Sequence, residues 1–219
     1  MDGNRRWSKQ NGLIQSHSQG IDAAHRAIEF CITRKTPYLS LFAFSLENFK
    51  RSSQEVSYLF DLMVQEIYAQ KQSLIEKGIK IRFIGDATQF PALVGEVCHQ
   101  LEQETMHGNA LQVNVLICYG ARQELCDATR RIAHAVEQGV LKAYDITPEL
   151  FETYLWTAHI PHPDLIIRTG YAHRLSNFLL YQAAYAELYF LDCYWPAITE
   201  TDFANAYTYF EQCKRNFGT

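Results

Sequence analysis

The chain is predicted to be an α/β protein with a mostly parallel central sheet flanked by helices, and three observations predict it. Short apolar runs of strand length alternate with longer segments whose apolar residues recur at helical spacing. The 219 residues are 47% hydrophobic, which is enough for one sizeable core. No internal repeat, low-complexity tract or Gly/Ser linker divides them, so residues 1–219 are read as a single domain.

The elements follow in order. Ile21, Ala24, Ile28, Cys31 and Ile32 mark one face of a helix, and residues 38–44 read as a short, almost continuously apolar strand. From Glu55, the positions Val56, Leu59, Phe60, Met63 and Ile67 fit the helical template until Gly78 stops it. Residues 79–84 predict a strand, 90–104 a helix, 111–117 a strand and 122–136 a helix. Thr147 and Pro148 form an N-cap with proline at the first helical position. Strands are predicted over 165–167 and 187–190, with a helix over 177–184 between them. Phe203, Ala206, Tyr207 and Phe210 mark a last helix. Strands alternating with helices of this length imply βαβ units.

Composition narrows the function classes. With 20% charged residues and a net charge of −4, the chain is neither disordered nor a general nucleic-acid binder, although local basic clusters still suit small anions. The six cysteines form no C-x-x-C pair and several lie in apolar runs, so they read as reduced thiols of a cytoplasmic protein. No apolar stretch reaches the ~20 residues of a membrane span, and no signal-peptide pattern opens the chain.

Polar clusters fall just after the predicted strands: Ser45, Glu47 and Asn48; Gly85 and Asp86; 119–122; and Arg168, Thr169 and Gly170. In open parallel sheets, ligands bind at the carboxyl ends of the strands, so four clusters on one rim imply one shared site. Arg51, Arg122, Arg168 and Arg174, with Arg5 and Arg6, make that rim rich in a side chain whose planar fork suits phosphate. Ser176 is placed to cap the helix predicted after it, and a helix N-terminus beside arginines is an anion site. The plainer alternative is a set of surface arginines paired with acids. Two carboxylates stand out as metal candidates, Asp2 and Glu187, the latter within an aromatic run where burial calls for a cation. The alternatives are a frayed terminus for Asp2 and a salt-bridged strand residue for Glu187. His159 and His162 flank Pro161 without further ligands nearby and read as a loop.

Three segments carry a resemblance: 1–7 (MDGNRRW), 44–51 (FSLENFKR) with Glu55 and Val56, and Arg168-Thr-Gly followed by 174–180 (RLSNFLL). Residues 183–190 (AAYAELYF) and Trp195-Pro196 continue the last. Together these resemble the undecaprenyl diphosphate synthase family of cis-prenyltransferases, in order along almost the whole chain. The resemblance implies a homodimer, a parallel sheet with an apolar tunnel, and Mg²⁺-dependent condensation of isopentenyl diphosphate onto an allylic diphosphate, with farnesyl diphosphate expected. The expected product is a cis-polyprenyl diphosphate, most simply the undecaprenyl carrier of cell-wall assembly, which passes to the membrane. No Asp-Asp pair is present, which weighs against a trans-prenyl synthase.

The same resemblance implies roles. Asp2 positions Mg²⁺ and the diphosphate, and Glu187 completes the metal site, from the partner subunit. Gly3, Asn4, Arg6 and His17 hold the allylic diphosphate. Arg168, Arg174 and Ser176, with Leu175 between them, take the diphosphate of isopentenyl diphosphate. Ser45, Leu46, Glu47 and Asn48 lie between the two substrates, and Asn48 assists proton removal. Arg51 and Glu55 brace that loop, while Trp7 and Phe49 stand where aromatics meet isoprenoid carbons. The tail 215–218 resembles one that reaches the partner's site.

Four departures are visible. Arg5 stands where the family usually has glycine, adding a contact or crowding the pocket. Gly170-Tyr171-Ala172 replaces Gly-Gly-Glu. The stretch between Trp7 and His17 is short and lacks an arginine, for which Gln15 or Lys9 is a partial substitute. Only Met1 precedes Asp2, where the family has a buried strand. The expectations are an upstream strand of about six residues or a truncated copy, with an open sheet edge and Asp2 on a mobile terminus. A non-catalytic isoprenoid-diphosphate-binding subunit and a short-chain coupling enzyme are the alternative readings.

Overall fold

The computed structural model describes residues 1–11 and 13–214. The tail 215–218 and the side chain of Gln15 lie outside the described residues. Two N-terminal helices, α1 (Asn4–Asn11) and α2 (Leu13–Arg34), lead into β1 (Tyr38–Ser45). Then follow α3 (Ser53–Glu76), β2 (Ile79–Ile84), α4 (Ala92–Thr105), β3 (Leu111–Tyr119), α5 (Ala121–Glu137) and α6 (Pro148–Glu152). The chain closes with β4 (Leu165–Arg168), β5 (Glu187–Phe190) and α7 (Glu200–Gln212).

The parallel arrangement predicted from the alternation is present, in two sheets. β1, β3 and β2 form one with β3 in the middle, and β4 and β5 form the other; every pairing is parallel. β3 is buried along both faces, which explains its almost unbroken apolar sequence. Leu111, Val113 and Ile117 belong to the larger core with Ala23, Ala27, Phe60, Val97 and Phe203. Leu116 and Tyr119 face the smaller core, which includes Leu179 and Ala121. Thr147 caps its helix as expected, accepting from Leu150 N–H, and two further hydroxyl caps are present: Ser52 accepts from Glu55 N–H and Thr199 from Asp202 N–H.

One expected element is absent. Residues 177–184 form a series of turns and not a helix, because Ser176, Asn177 and Leu179 all adopt positive φ (50°, 66° and 44°). Three left-handed residues within four positions cannot propagate a right-handed helix. Ser176 therefore caps nothing, and the helix-terminus anion site expected there is replaced by side chains. In the opposite direction, helical structure starts earlier than the apolar spacing indicated: the polar segment after Gly3 is α1, and α2 starts at Leu13 rather than near Ile21.

Between the two sheets lies a cavity of about 980 Å³. Residues 35–43 line it without a break, as do residues 161–168. Side chains alternate between faces of a strand, so an unbroken run of lining residues means that strand edges border the space. β1 is bonded on its other edge to β3, and β4 on its other edge to β5. Ala27, Phe30, Leu59, Phe178, Phe203 and Tyr207 add apolar wall. Among β1, α3 and β3, the first contributes most of the lining, α3 contributes Leu59, and β3 contributes none. The six cysteines are free, and Cys31, Cys98 and Cys118 are buried, with burial pushing the Cys31 thiol up to about 11.

Candidate active site

The polar mouth of the cavity is assembled from four separate segments. Asp2 lies at its centre. Its main chain is held by the carboxyl end of β4 and by the turn after β5: Thr169 Oγ1 accepts from Asp2 N–H at 3.2 Å and donates to Asp2 O at 2.8 Å, while Trp195 N–H donates to the same oxygen at 3.0 Å. Trp195 is in turn anchored to α2 through its indole N–H and Gly20 O. Asp2, expected on a mobile terminus, is instead tied down by the Thr169 hydroxyl and the Trp195 backbone N–H.

The Asp2 carboxylate accepts from two arginines through Oδ2, Arg168 at 2.9 Å and Arg6 at 3.1 Å. Burial alone would raise its pKa, but the hydrogen bond and charge of Arg168, with those of Arg6, hold it below the usual carboxylate range. Arg168 is the hub. Its Nη1 donates to Ser176 Oγ at 2.9 Å and to the carbonyl of Arg174, and its Nε is buried without a partner among the described residues. Arg6 also lies over the ring of Tyr194, 5.4 Å from its centroid.

Gly170 makes this cluster possible. A Cβ there would lie 2.7 Å from Arg6 Nη2 and 2.9 Å from the Asp2 carboxylate, and its φ of +93° disfavours other residues. Gly170→Ala is therefore expected to lower kcat/KM at least tenfold while the protein stays folded; steady-state kinetics beside a thermal melt will check it. Tyr171, at the second glycine of the expected motif, sits at φ 55° in the left-handed region that glycine favours, with its ring packed edge-on against Tyr194 at 5.2 Å. Arg5, exposed on α1, is among the residues lining the mouth.

His17, on α2, is 6% exposed, lines the cavity and has an Nε2 with no partner among the described residues. Burial first, and then the charge of Arg51, lower its pKa despite Glu55, so the ring is neutral near pH 7. Arg51 Nη1 and Glu55 Oε1 pair at 3.0 Å, as expected for a brace. Ser45 N–H donates to Asn48 Oδ1 at 3.1 Å, which folds the β1 loop so that Ser45 and Asn48 line the cavity.

Not every expected residue reaches the mouth. Gly3, Asn4, Arg174, Leu175 and Ser176 line it; Trp7, Leu46, Glu47 and Phe49 do not. Leu46 packs on the larger core, and Phe49 packs edge-on against Phe44 and at a tilt against Phe60. Glu187 opens β5 opposite Leu165, whereas Arg168 pairs with Phe190. That places Glu187 three strand positions, roughly 10 Å, behind the rim where Asp2 sits. Within one chain the two carboxylates do not meet. Among the described residues no group of three His, Cys, Asp or Glu side chains gathers to hold a metal, and His162 instead lies 3.6 Å from Glu152. A divalent cation nevertheless fits the mouth, because an ionised Asp2 supplies one hard oxygen ligand and substrate phosphates supply others.

Comparisons with known proteins bear on the family and the fold. The family model described as "Putative undecaprenyl diphosphate synthase" matches residues 1–218. A ditrans,polycis-undecaprenyl-diphosphate synthase ((2E,6E)-farnesyl-diphosphate specific) from Pseudomonas putida is 40% identical over 220 residues, covering 100% of this chain and 88% of that protein. An isoprenyl transferase from Thermotoga maritima is 38% identical, covering 100% and 94%. Among solved structures, lavandulyl diphosphate synthase from Lavandula x intermedia, in complex with dimethylallyl diphosphate, superposes with a TM-score of 0.95 at 30% identity, covering 100% of this chain and 95% of that one. A probable undecaprenyl diphosphate synthase from Campylobacter jejuni gives 0.80 at 34% identity, covering 92% and 93%.

Proposed function

Because this chain belongs to the undecaprenyl diphosphate synthase family of prenyltransferases, we propose that it condenses isopentenyl diphosphate onto farnesyl diphosphate repeatedly, with cis geometry, to make undecaprenyl diphosphate. One observation carries the reading: the Asp2–Arg6–Arg168–Ser176 cluster opens directly into the apolar 980 Å³ cavity. A charged head and a growing hydrocarbon tail need those two environments side by side. The cavity is at the upper end of the ~300–1,000 Å³ usual for ligand pockets, which suits a long chain.

The reaction breaks the bond between allylic carbon and diphosphate oxygen, with the electron pair leaving on oxygen, forms a new C–C bond and releases a proton. The groups of this chain serve each need. Arg6, with the first backbone N–H groups of α1 at Asn4 and Arg5, faces the allylic diphosphate. Arg168, Arg174 and Ser176 hold the second diphosphate. A divalent cation, Mg²⁺ in this reading, would be held by Asp2 and neutralise charge on the leaving diphosphate. His17, uncharged and unpartnered at Nε2, donates to a phosphate oxygen without adding a second full charge. Asn48, fixed by the Ser45 N–H, orients the isopentenyl unit at the end of β1, where the proton leaves. Glu187 joins such a site only from a second copy, so the homodimer belongs to this reading.

Purified protein incubated with farnesyl diphosphate, labelled isopentenyl diphosphate and Mg²⁺ is expected to give a ladder ending in one long product, abolished by EDTA. No incorporation would sink the reading. A second reading, a short-chain coupling enzyme, is favoured by the likeness to the lavandulyl enzyme, and a ten-carbon product from dimethylallyl diphosphate alone would establish it.

A further inference from the structure

The residue at the N-cap position of α5 is Gly120, which has no side chain to cap it. The cap comes from Asn177, distant in sequence: its carbonyl accepts from Ala121 N–H at 2.9 Å and its Oδ1 from Arg122 N–H at 2.8 Å. A Cβ on Gly120 would lie 2.7 Å from Asn177 Nδ2, so the glycine makes room for the cap it lacks. The donor side of the same amide is spent on Glu47 Oε1, at 2.8 Å, and on Gln123 Oε1, at 3.0 Å. Asn177 thus joins three segments that are remote in sequence: the loop after β1, the start of α5, and the anion loop after β4. Its neighbour Ser176 is the residue that Arg168 grips.

We propose that Asn177 is a positioning residue for the second substrate, coupling the Ser45–Asn48 loop to the Arg168–Ser176 diphosphate loop through Glu47. The inference rests on the functional reading above. Asn177 suits the place on three counts: asparagine tolerates φ 66°, its oxygen caps a helix, and its NH₂ reaches a carboxylate. Glu47, which stays outside the cavity, acts through this bond instead of touching substrate.

Asn177→Asp separates the two halves of the role. Aspartate caps a helix as well as asparagine does and suits its dipole, so the melting temperature holds, but it opposes Glu47 with a like charge. The expected result is a rise of about tenfold in KM for isopentenyl diphosphate, with KM for farnesyl diphosphate within twofold. Adding Glu47→Gln restores a donor across the contact and recovers most of that tenfold. Additive effects in the double variant, or an unchanged KM in Asn177→Asp, would overturn the proposal. Calorimetric titration of both proteins with inorganic pyrophosphate in Mg²⁺ keeps the two readings apart. A wild-type protein that binds none defeats the functional reading and this inference with it. A wild-type protein that binds and turns over, beside an Asn177→Asp variant matching it in KM, defeats this inference alone.

Discussion

Arg168→Lys is expected to lower kcat by about 10²–10³-fold in a protein that still folds, the scale found when one preorganised donor is removed from a site of developing charge. Arg168 spreads one guanidinium over Asp2, Ser176 and the Arg174 carbonyl. Lysine keeps the positive charge but is a point donor, so it can serve the carboxylate or the loop and not both. Its loss also leaves Asp2 with Arg6 alone, in a pair more than one-third exposed and therefore weakly held. Steady-state kinetics, with circular dichroism to verify the fold, will test this. A loss below tenfold would mean that Arg168 is structural only.

Glu124→Ala is expected to have the largest effect on stability, about 3–5 kcal/mol, or a fall in melting temperature of roughly 6–20 °C. Glu124 is fully buried and accepts from Tyr119 Oη at 2.6 Å, Thr157 N–H at 2.9 Å, Thr157 Oγ1 at 2.8 Å and Gln182 Nε2 at 3.0 Å. Burial and then the neighbouring carboxylate raise the pKa of Tyr119, which keeps its hydroxyl protonated and donating. Alanine would strand four buried donors at once, whereas Glu124→Gln retains a carbonyl acceptor and should cost less. Thermal and urea unfolding will measure both. A loss under 1 kcal/mol for the alanine variant would show that water replaces the carboxylate.

The strands were legible because their apolar runs are short and bounded, and β2 and β5 begin and end where the sequence indicated. Where the chain uses side chains for tertiary bonds, local reading failed. Residues 177–184 have a helical composition, yet Asn177 is committed to α5 and to Glu47, and the left-handed backbone this requires overrides propensity. The start of α1 was hidden by its polarity, since a helix made of Asn, Arg, Lys and Gln has little apolar face to detect. Glu124 was invisible for the opposite reason: an acid on an amphipathic helix normally faces solvent. A signal for Asn177 was nonetheless present in Gly120, a helix start without a capping side chain. Most of the mouth residues were legible through the resemblance, but Thr169, which fixes the Asp2 backbone, was read only as part of a rim cluster. The distance between Asp2 and Glu187 depends on strand register, which no motif encodes.

The facing edges of β1 and β4 also bear on how the protein keeps its shape. The least protected amides of a sheet are those without a strand partner, and here those of β1 and β4 border the apolar cavity instead of the periphery. Occupation of that space by an isoprenoid tail would therefore consolidate the two sheets as well as fill a pocket. Binding and folding become linked equilibria: ligand at a hundred times its dissociation constant adds about 2.7 kcal/mol to the native state. By this linkage, a bound isoprenoid would raise the melting temperature of the protein by an amount that grows with its concentration.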